Sequence, residues 1–149
     1  MLKRWAHSRG FTLIELLLTV ALLGIVASIV VPRLNYGAIH IAEVKTTAQA
    51  FAGSLRLARS LAVSDAGANG QGYKVTLSSG TYSLINAATS TTVKGPTAVP
   101  SGINTSGDSD IQFNRLGESA DGSAKSVTFS YDTTSAVVTV TPVGGITAN

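Results

Sequence analysis

The sequence predicts an α+β protein in which one long N-terminal helix packs on a C-terminal antiparallel β-domain. The first half of that helix is expected to span a membrane and the second half to be amphipathic. Three observations lead there. Phe11 to Val31 is an apolar run interrupted by a single charge, Glu15. Beyond Pro32, apolar residues recur at spacings of seven, three and four, the period of one helix face. From Gln71 the period switches to two and Ser, Thr, Gly and Val dominate. The expected layout is a leader over 1–10, a membrane and assembly helix over 11–32, an amphipathic helix over 33–65 and a β-rich domain over 71–149.

The apolar run, 21 residues from Phe11 to Val31, would be about 31 Å long as a helix, enough for a hydrocarbon core of about 30 Å. A carboxylate near a membrane helix centre costs about 2.5–3.5 kcal/mol, so Glu15 asks for a reason. A secretory signal cut near Val26-Ala27-Ser28, releasing a soluble exported protein, leaves that acid unexplained. A generic single-pass anchor explains the length alone.

The block Gly10-Phe11-Thr12-Leu13-Ile14-Glu15, behind a leader carrying Lys3, Arg4 and Arg9, resembles the class III signal of type IV prepilins and of the pseudopilins of type II secretion. The resemblance implies the pilin fold. It also implies cleavage between Gly10 and Phe11 by a prepilin peptidase/methyltransferase, N-methylation of Phe11, and polymerisation through the exposed helix. Gly10 has no side chain to obstruct a narrow peptidase site. The new α-amino group on Phe11, with a pKa of about 8, would be cationic at neutral pH. Glu15 is implied to neutralise the N-terminal amine of a neighbouring subunit, because an opposite charge makes burial in a filament core tolerable. The blander role stays open beside it: Glu15 snorkels to the interface or caps the helix start. Gly24 and Pro32 interrupt helix propensity, and Pro32 also removes a backbone donor. The resemblance implies a segment between them that melts and extends on assembly; a simple kink is the alternative.

The pI of about 9.5 invites a nucleic-acid reading, and the location of the charges removes it. Three of the 11 Lys and Arg lie in the leader, so cleavage after Gly10 leaves 8 basic against 8 acidic side chains. Positive charge in the leader holds the N-terminus on the cytoplasmic side. The chain has no cysteine, which excludes disulfides, thiolate zinc sites and Cys nucleophiles.

The amphipathic stripe comprises Leu34, Ile41, Val44, Ala48, Phe51, Leu55, Ala58 and Ala62, with Arg33, Glu43, Lys45, Gln49, Arg56 and Arg59 mostly off it. The helix is expected to end near Ser64, at the breaker cluster Asp65 to Gly70. Counted from Phe11, the combined helix would be about 80 Å long. Arg56 and Arg59 read as a solvated face or a small basic patch.

Five or six short strands are expected. Tyr73–Leu77 and Thr81–Ile85 flank a hairpin turn at Ser78-Ser79-Gly80. Residues 86–107 read as a long irregular stretch with one short strand near Thr92-Val93-Lys94. Ile111–Phe113 follows, then a turn at Leu116-Gly117, then Ser126–Tyr131 and Ala136–Thr141 joined by 132–135. The end, 142–149, reads as loose.

Two further strings, Leu55-Arg56-Leu57-Ala58-Arg59-Ser60-Leu61-Ala62 and Phe113-Asn114-Arg115-Leu116-Gly117 with Gly144-Gly145-Ile146, resemble minor pseudopilin H of type II secretion and the FimT-like minor pilins. DNA-binding members of that group place arginines beside the final glycine. Here Gly145, Ile146 and Thr147 stand there and no Lys or Arg follows Lys125, so phosphate contacts are not expected. Asp108, Asp110, Glu118 and Asp121 read as ordinary loop acids rather than a calcium loop. His7 falls in the leader and His40 on the helix, which leaves no histidine for a triad in the β-domain. No enzyme activity, metal or cofactor is expected.

The sequence thus points to a minor pseudopilin or pilin, a structural subunit of a type II secretion pseudopilus. It would sit in the bacterial inner membrane with the β-domain in the periplasm. Its partners would be the prepilin peptidase/methyltransferase and other pseudopilins or pilins. The alternative is a minor type IV pilin acting in pilus assembly, adhesion or DNA uptake.

Overall fold

The computed structural model describes residues 11–30 and 36–149. Gly10, Pro32, Arg33, Leu34 and the leader lie outside them. The chain divides into two compact units, Met1–Tyr36 and Gly37–Asn149. In the first, helix α1 runs from Leu13 to Val30. The second opens with helix α2, Tyr36–Ser64; the expected continuity of the two through residues 31–35 lies outside the described residues.

Eight strands follow α2. Strands β1 (Tyr73–Ser78), β2 (Thr81–Asn86), β3 (Thr92–Ala98) and β5 (Asp110–Phe113) form one antiparallel sheet in the order β3-β2-β1-β5. Strands β4 (Asn104–Gly107), β6 (Lys125–Tyr131), β7 (Thr134–Val140) and β8 (Ile146–Ala148) form a second in the order β4-β6-β7-β8. The sheets meet where the chain passes from β4 to β5: Asp108 N donates to Ser126 O and Leu77 N to Ser109 O.

Local sequence explains most of these elements. Asp65 to Gly70 ends α2 as expected. The β1–β2 turn needs left-handed backbone at both central residues, and Ser79 (φ 49°) and Gly80 (φ 72°) supply it. In β1, β6 and β7, buried and half-exposed residues alternate, so each strand turns one face inward.

The core is one cluster shared by α2 and both sheets. From α2 come Val44, Ala48, Phe51, Ala52, Leu55, Ala58 and Ala62. Phe51 sits at the centre, edge-on to Tyr82 of the first sheet (ring centroids 5.3 Å) and to Phe129 of the second (5.4 Å).

Four expectations are corrected. Ile41 belongs to the predicted stripe but is 44% exposed, whereas Thr47, Ala52 and Ser54 are buried beside it. Small side chains thus widen the buried stripe. Residues 86–107 contain two strands, β3 and β4, rather than one short one. The breaker pair Gly95-Pro96 sits inside β3 because that strand is an edge, where the missing proline N–H costs no ladder bond. The pairing with β2 shifts register there. The β6–β7 connection is two residues, not four. The tail is not loose: β8 pairs with β7 through Val138↔Ala148, Thr139↔Thr147 and Val140↔Ile146. A three-residue strand is too short to show a period, and the open edge of β7 supplies its partners.

Candidate assembly surface

Helix α1 starts at a capped end. Thr12 Oγ1 accepts the Glu15 N–H at 3.3 Å, and Leu16 N donates to Thr12 O at 3.1 Å. Thr12 with Glu15 three residues on is the spacing of a capping box, and an acid in the first turn suits the helix dipole. The Glu15 carboxylate itself is exposed, and no ion pair reaches it among the described residues. Phe11, one turn before it, is 74% exposed.

Ten large aliphatic side chains between Leu13 and Val26 stand exposed on all sides of α1. Burying each fully is worth about 1.5–3 kcal/mol. Their sum exceeds severalfold the cost of about 2.5–3.5 kcal/mol for one carboxylate in an apolar medium. Helix α1 is therefore built to be covered, with its one charge at the entrance. A Cβ at Gly24 would meet nothing within 4 Å, so the space beside that residue is open. Among the described residues no helix is long and apolar enough to cross a membrane. The 18 residues of α1 make about 27 Å, and the apolar run continues in sequence to Val31, outside the described residues.

At the far end of α2 the structure joins three strings that the sequence keeps apart. Arg59 Nε donates to Gly117 O at 2.9 Å. A Cβ on Gly144 would lie 1.8 Å from Gly117 O and 3.0 Å from Arg59 Nε. So Arg59 is a tie between α2, the 114–118 turn and the 142–145 turn, rather than a freely solvated charge. Arg56, Arg59, Ser60, Val63 and Ser64 of α2, with Ile146 of β8, line an open groove of about 560 Å³.

Other candidate groups are engaged internally. Lys125 Nζ lies 2.6 Å from Asp121 Oδ2 and 3.7 Å from Asp108 Oδ1. Asp121 is held well below the usual carboxylate range, first by Lys125 and then by the Ser123 N–H and the Ser123 and Ser119 hydroxyls. Thr76 donates to Asp110 and Asn114 Nδ2 to Glu118. The four loop acids are thus matched to protein donors. Among the described residues no cluster could hold a metal ion. His40 stacks on Tyr131 with centroids 4.1 Å apart, and its Nδ1 lies 3.0 Å from Glu43 Oε2.

Asn69 was hidden in the breaker cluster. Its buried amide donates to Gly72 O (2.7 Å) and Asn86 Oδ1 (3.0 Å) and accepts from the N–H groups of Gln71 and Gly72. Beside it, Tyr73 Oη donates to Asp65 Oδ2 at 2.7 Å, a bond that with burial raises the phenol above its ordinary value. Both fasten the end of α2 to β1. The Asn-Gly pair signals a turn in sequence; its role as a tie is visible only in three dimensions.

Residues 5–31 match the family model of the prokaryotic N-terminal methylation motif. No curated protein matches the chain in sequence. Among solved structures, the chain is similar to the type IV minor pilin FimU of Pseudomonas aeruginosa strain PAO1, at 13% identity. In one crystal form the TM-score is 0.60, covering 72% of this chain and 89% of the crystallised FimU chain. In a second form it is 0.56, covering 70% and 90%. At that identity the likeness is one of fold. The chain thus carries the N-terminal methylation motif on a pilin-type α+β fold, the architecture of the type IV pilin-like superfamily.

Proposed function

We infer that this protein is a structural, non-enzymatic subunit of a periplasmic pilin-type filament. Prepilin peptidase cuts it between Gly10 and Phe11, and Phe11 is N-methylated. Residues 11–32 then hold it in the inner membrane until it is drawn into the filament. The observation that carries this reading is the exposed Glu15 carboxylate at the capped start of an apolar helix whose described side chains are all exposed, one turn from Phe11. That carboxylate receives the N-terminal amine of a neighbouring subunit, which removes the penalty of burying either charge alone. Gly24 and Pro32 let the helix segment between them extend during assembly.

Among filaments, we favour the type II secretion pseudopilus over a DNA-binding pilus, because no Lys or Arg follows Lys125. The likeness to a type IV minor pilin is the observation favouring the second reading, a minor pilin acting in pilus assembly or adhesion.

Mass spectrometry of the protein from host membranes tests the first step. An N-terminus at Phe11 with one added methyl group is expected; an N-terminus near Ser28 overturns the reading. Glu15→Ala is expected to be processed and inserted normally yet missing from filaments. Normal incorporation of that variant would sink the charge-pairing role.

A further inference from the structure

We propose that the open edge of β8 and the basic flank of α2 beside it take up an extended acidic peptide as an additional antiparallel strand. This goes beyond the filament-subunit reading and does not depend on processing at Gly10.

The backbone of β8 is prepared for such a strand. Asn149 and Val137 exchange both of their backbone hydrogen bonds, and Thr141 N donates to Gly145 O. Thr147 lies opposite Thr139 between them, so the N–H and C=O groups of Ile146 and Ala148 point away from β7. β8 is the last strand of its sheet, and among the described residues no strand covers that side. The other three edges are guarded. β3 carries Lys94 and Pro96 and shifts register. Beside β5, Phe113 bridges Ser119 and Ala120 N donates to Gln112 O. β4 leaves strand geometry at Gly107, with φ 106°. Ile146-Thr147-Ala148 has none of the charge, proline or bulge that blunts an edge.

The side chains of Ile146 and Ala148 pack on the core, and Thr147 turns away from it. Two hollows open between this strand and one flank of α2. At one end Lys45 and Gln49 face Ala148 and Asn149 across about 170 Å³. At the other, Arg56 and Arg59 face Ile146 in the larger groove described above. Lys45 and Arg56 are eleven residues apart, about three turns and about 16 Å along the axis, so they lie on one line of the helix.

Charge selects the occupant. Between Glu43 and Asp65, α2 carries Lys45, Arg56 and Arg59 and no acid, and no charged side chain follows Asp132. Among the described residues no carboxylate pairs with any of these three cations. An added strand rises about 3.3 Å per residue and places alternate side chains on one face. Two carboxylates four residues apart therefore lie about 13 Å from each other, and the long Lys45 and Arg56 side chains cover the remainder. The ligand is an extended segment of the form acid-x-x-x-acid. Its backbone pairs with Ile146 and Ala148 while its acids meet the helix, the division of labour of strand addition at a sheet edge. Nucleic acid supplies the charge but no matching ladder of donors and acceptors.

The test uses the full-length protein in neutral detergent micelles and the fluorescently labelled peptide Thr-Thr-Asp-Val-Ala-Val-Asp-Thr-Thr. Saturable binding is expected by fluorescence anisotropy, weakened at least tenfold when both Asp are replaced by Asn. N-methylating the Ala and the second Asp, whose N–H groups would face β8, should abolish it. N-methylating the two Val, whose N–H groups would face solvent, should change it less than threefold. Ala148→Pro removes a donor from the open edge and no bond to β7, and Arg56→Glu reverses one charge. Each should weaken binding at least tenfold. Should either variant unfold, Lys45→Gln and Arg56→Gln carry the same comparison, each expected to weaken binding threefold or more. Absence of saturable binding, equal binding of the Asn peptide, or equal effects of the two N-methylation patterns overturns the proposal. So does tighter binding of a DNA duplex than of the peptide, which would make the surface an electrostatic one only.

Discussion

At the scale of single residues, the ties that close the β-domain are side-chain and glycine contacts between distant turns. Gly144 has φ +80°, and a Cβ there would lie 1.8 Å from Gly117 O. Backbone cannot yield as a flexible side chain can, so Gly144→Ala is expected to destabilise the domain by about 2 kcal/mol or more in urea unfolding. Gly145→Ala, whose Cβ would meet only the Thr141 side chain at 2.9 Å, should cost clearly less. The Lys125 clamp gives a pH signature. Lys125 is raised first by its bond to Asp121, and Asp121 is lowered from 3.8 first by Lys125. A carboxyl depressed in the folded state stabilises the fold above its unfolded value; that contribution is lost as pH falls through the lower, folded value. Asp121 is exposed and Lys125 only partly buried, so the effect is a modest change of slope. Lys125→Met should flatten the fall of Tm below about pH 4, and superimposable curves for the two proteins would show that the clamp contributes nothing. Little of this was legible in sequence. Arg56 and Arg59 read as a solvated pair because Gly117 lies 58 residues from Arg59, and no local pattern records such a contact.

At the scale of elements, α2 is the piece that both sheets share. Phe51 touches an aromatic ring of each sheet. Phe51→Ala is expected to cost about 3–5 kcal/mol, measured by urea unfolding, because the cavity would open where three layers meet. That is a large share of the 5–15 kcal/mol that holds a typical domain. A loss under about 1 kcal/mol would mean that the sheets hold together without it. The helix, the β1–β2 hairpin and the β6–β7 pair were legible, since each is specified by its own period and turn. The strands β4 and β8 were not, and of β3 only the start at Thr92-Val93-Lys94 was. Strand β3 carries Gly95-Pro96, β4 is four residues long and β8 three, and all gain their definition from the neighbouring strand.

At the scale of the whole molecule, the two units differ in kind. Gly37–Asn149 encloses a core of its own, whereas α1 exposes ten large aliphatics and encloses none. A chain beginning at Gly37 is therefore expected to stay soluble and unfold in one cooperative transition by circular dichroism; aggregation or a broad transition would show that the β-domain depends on the first unit. The sequence by itself determined the N-terminal methylation motif, the apolar helix with its single acid, the amphipathic face and the α+β class. Those are contiguous or periodic patterns, and local chemistry suffices to express them. Only the tertiary structure decided how the two sheets interleave, that Arg59 joins Gly117 and Gly144, and that Lys125 gathers Asp108 and Asp121. These depend on residues brought together from far along the chain, where partners are selected by closure of the fold rather than by neighbours in sequence.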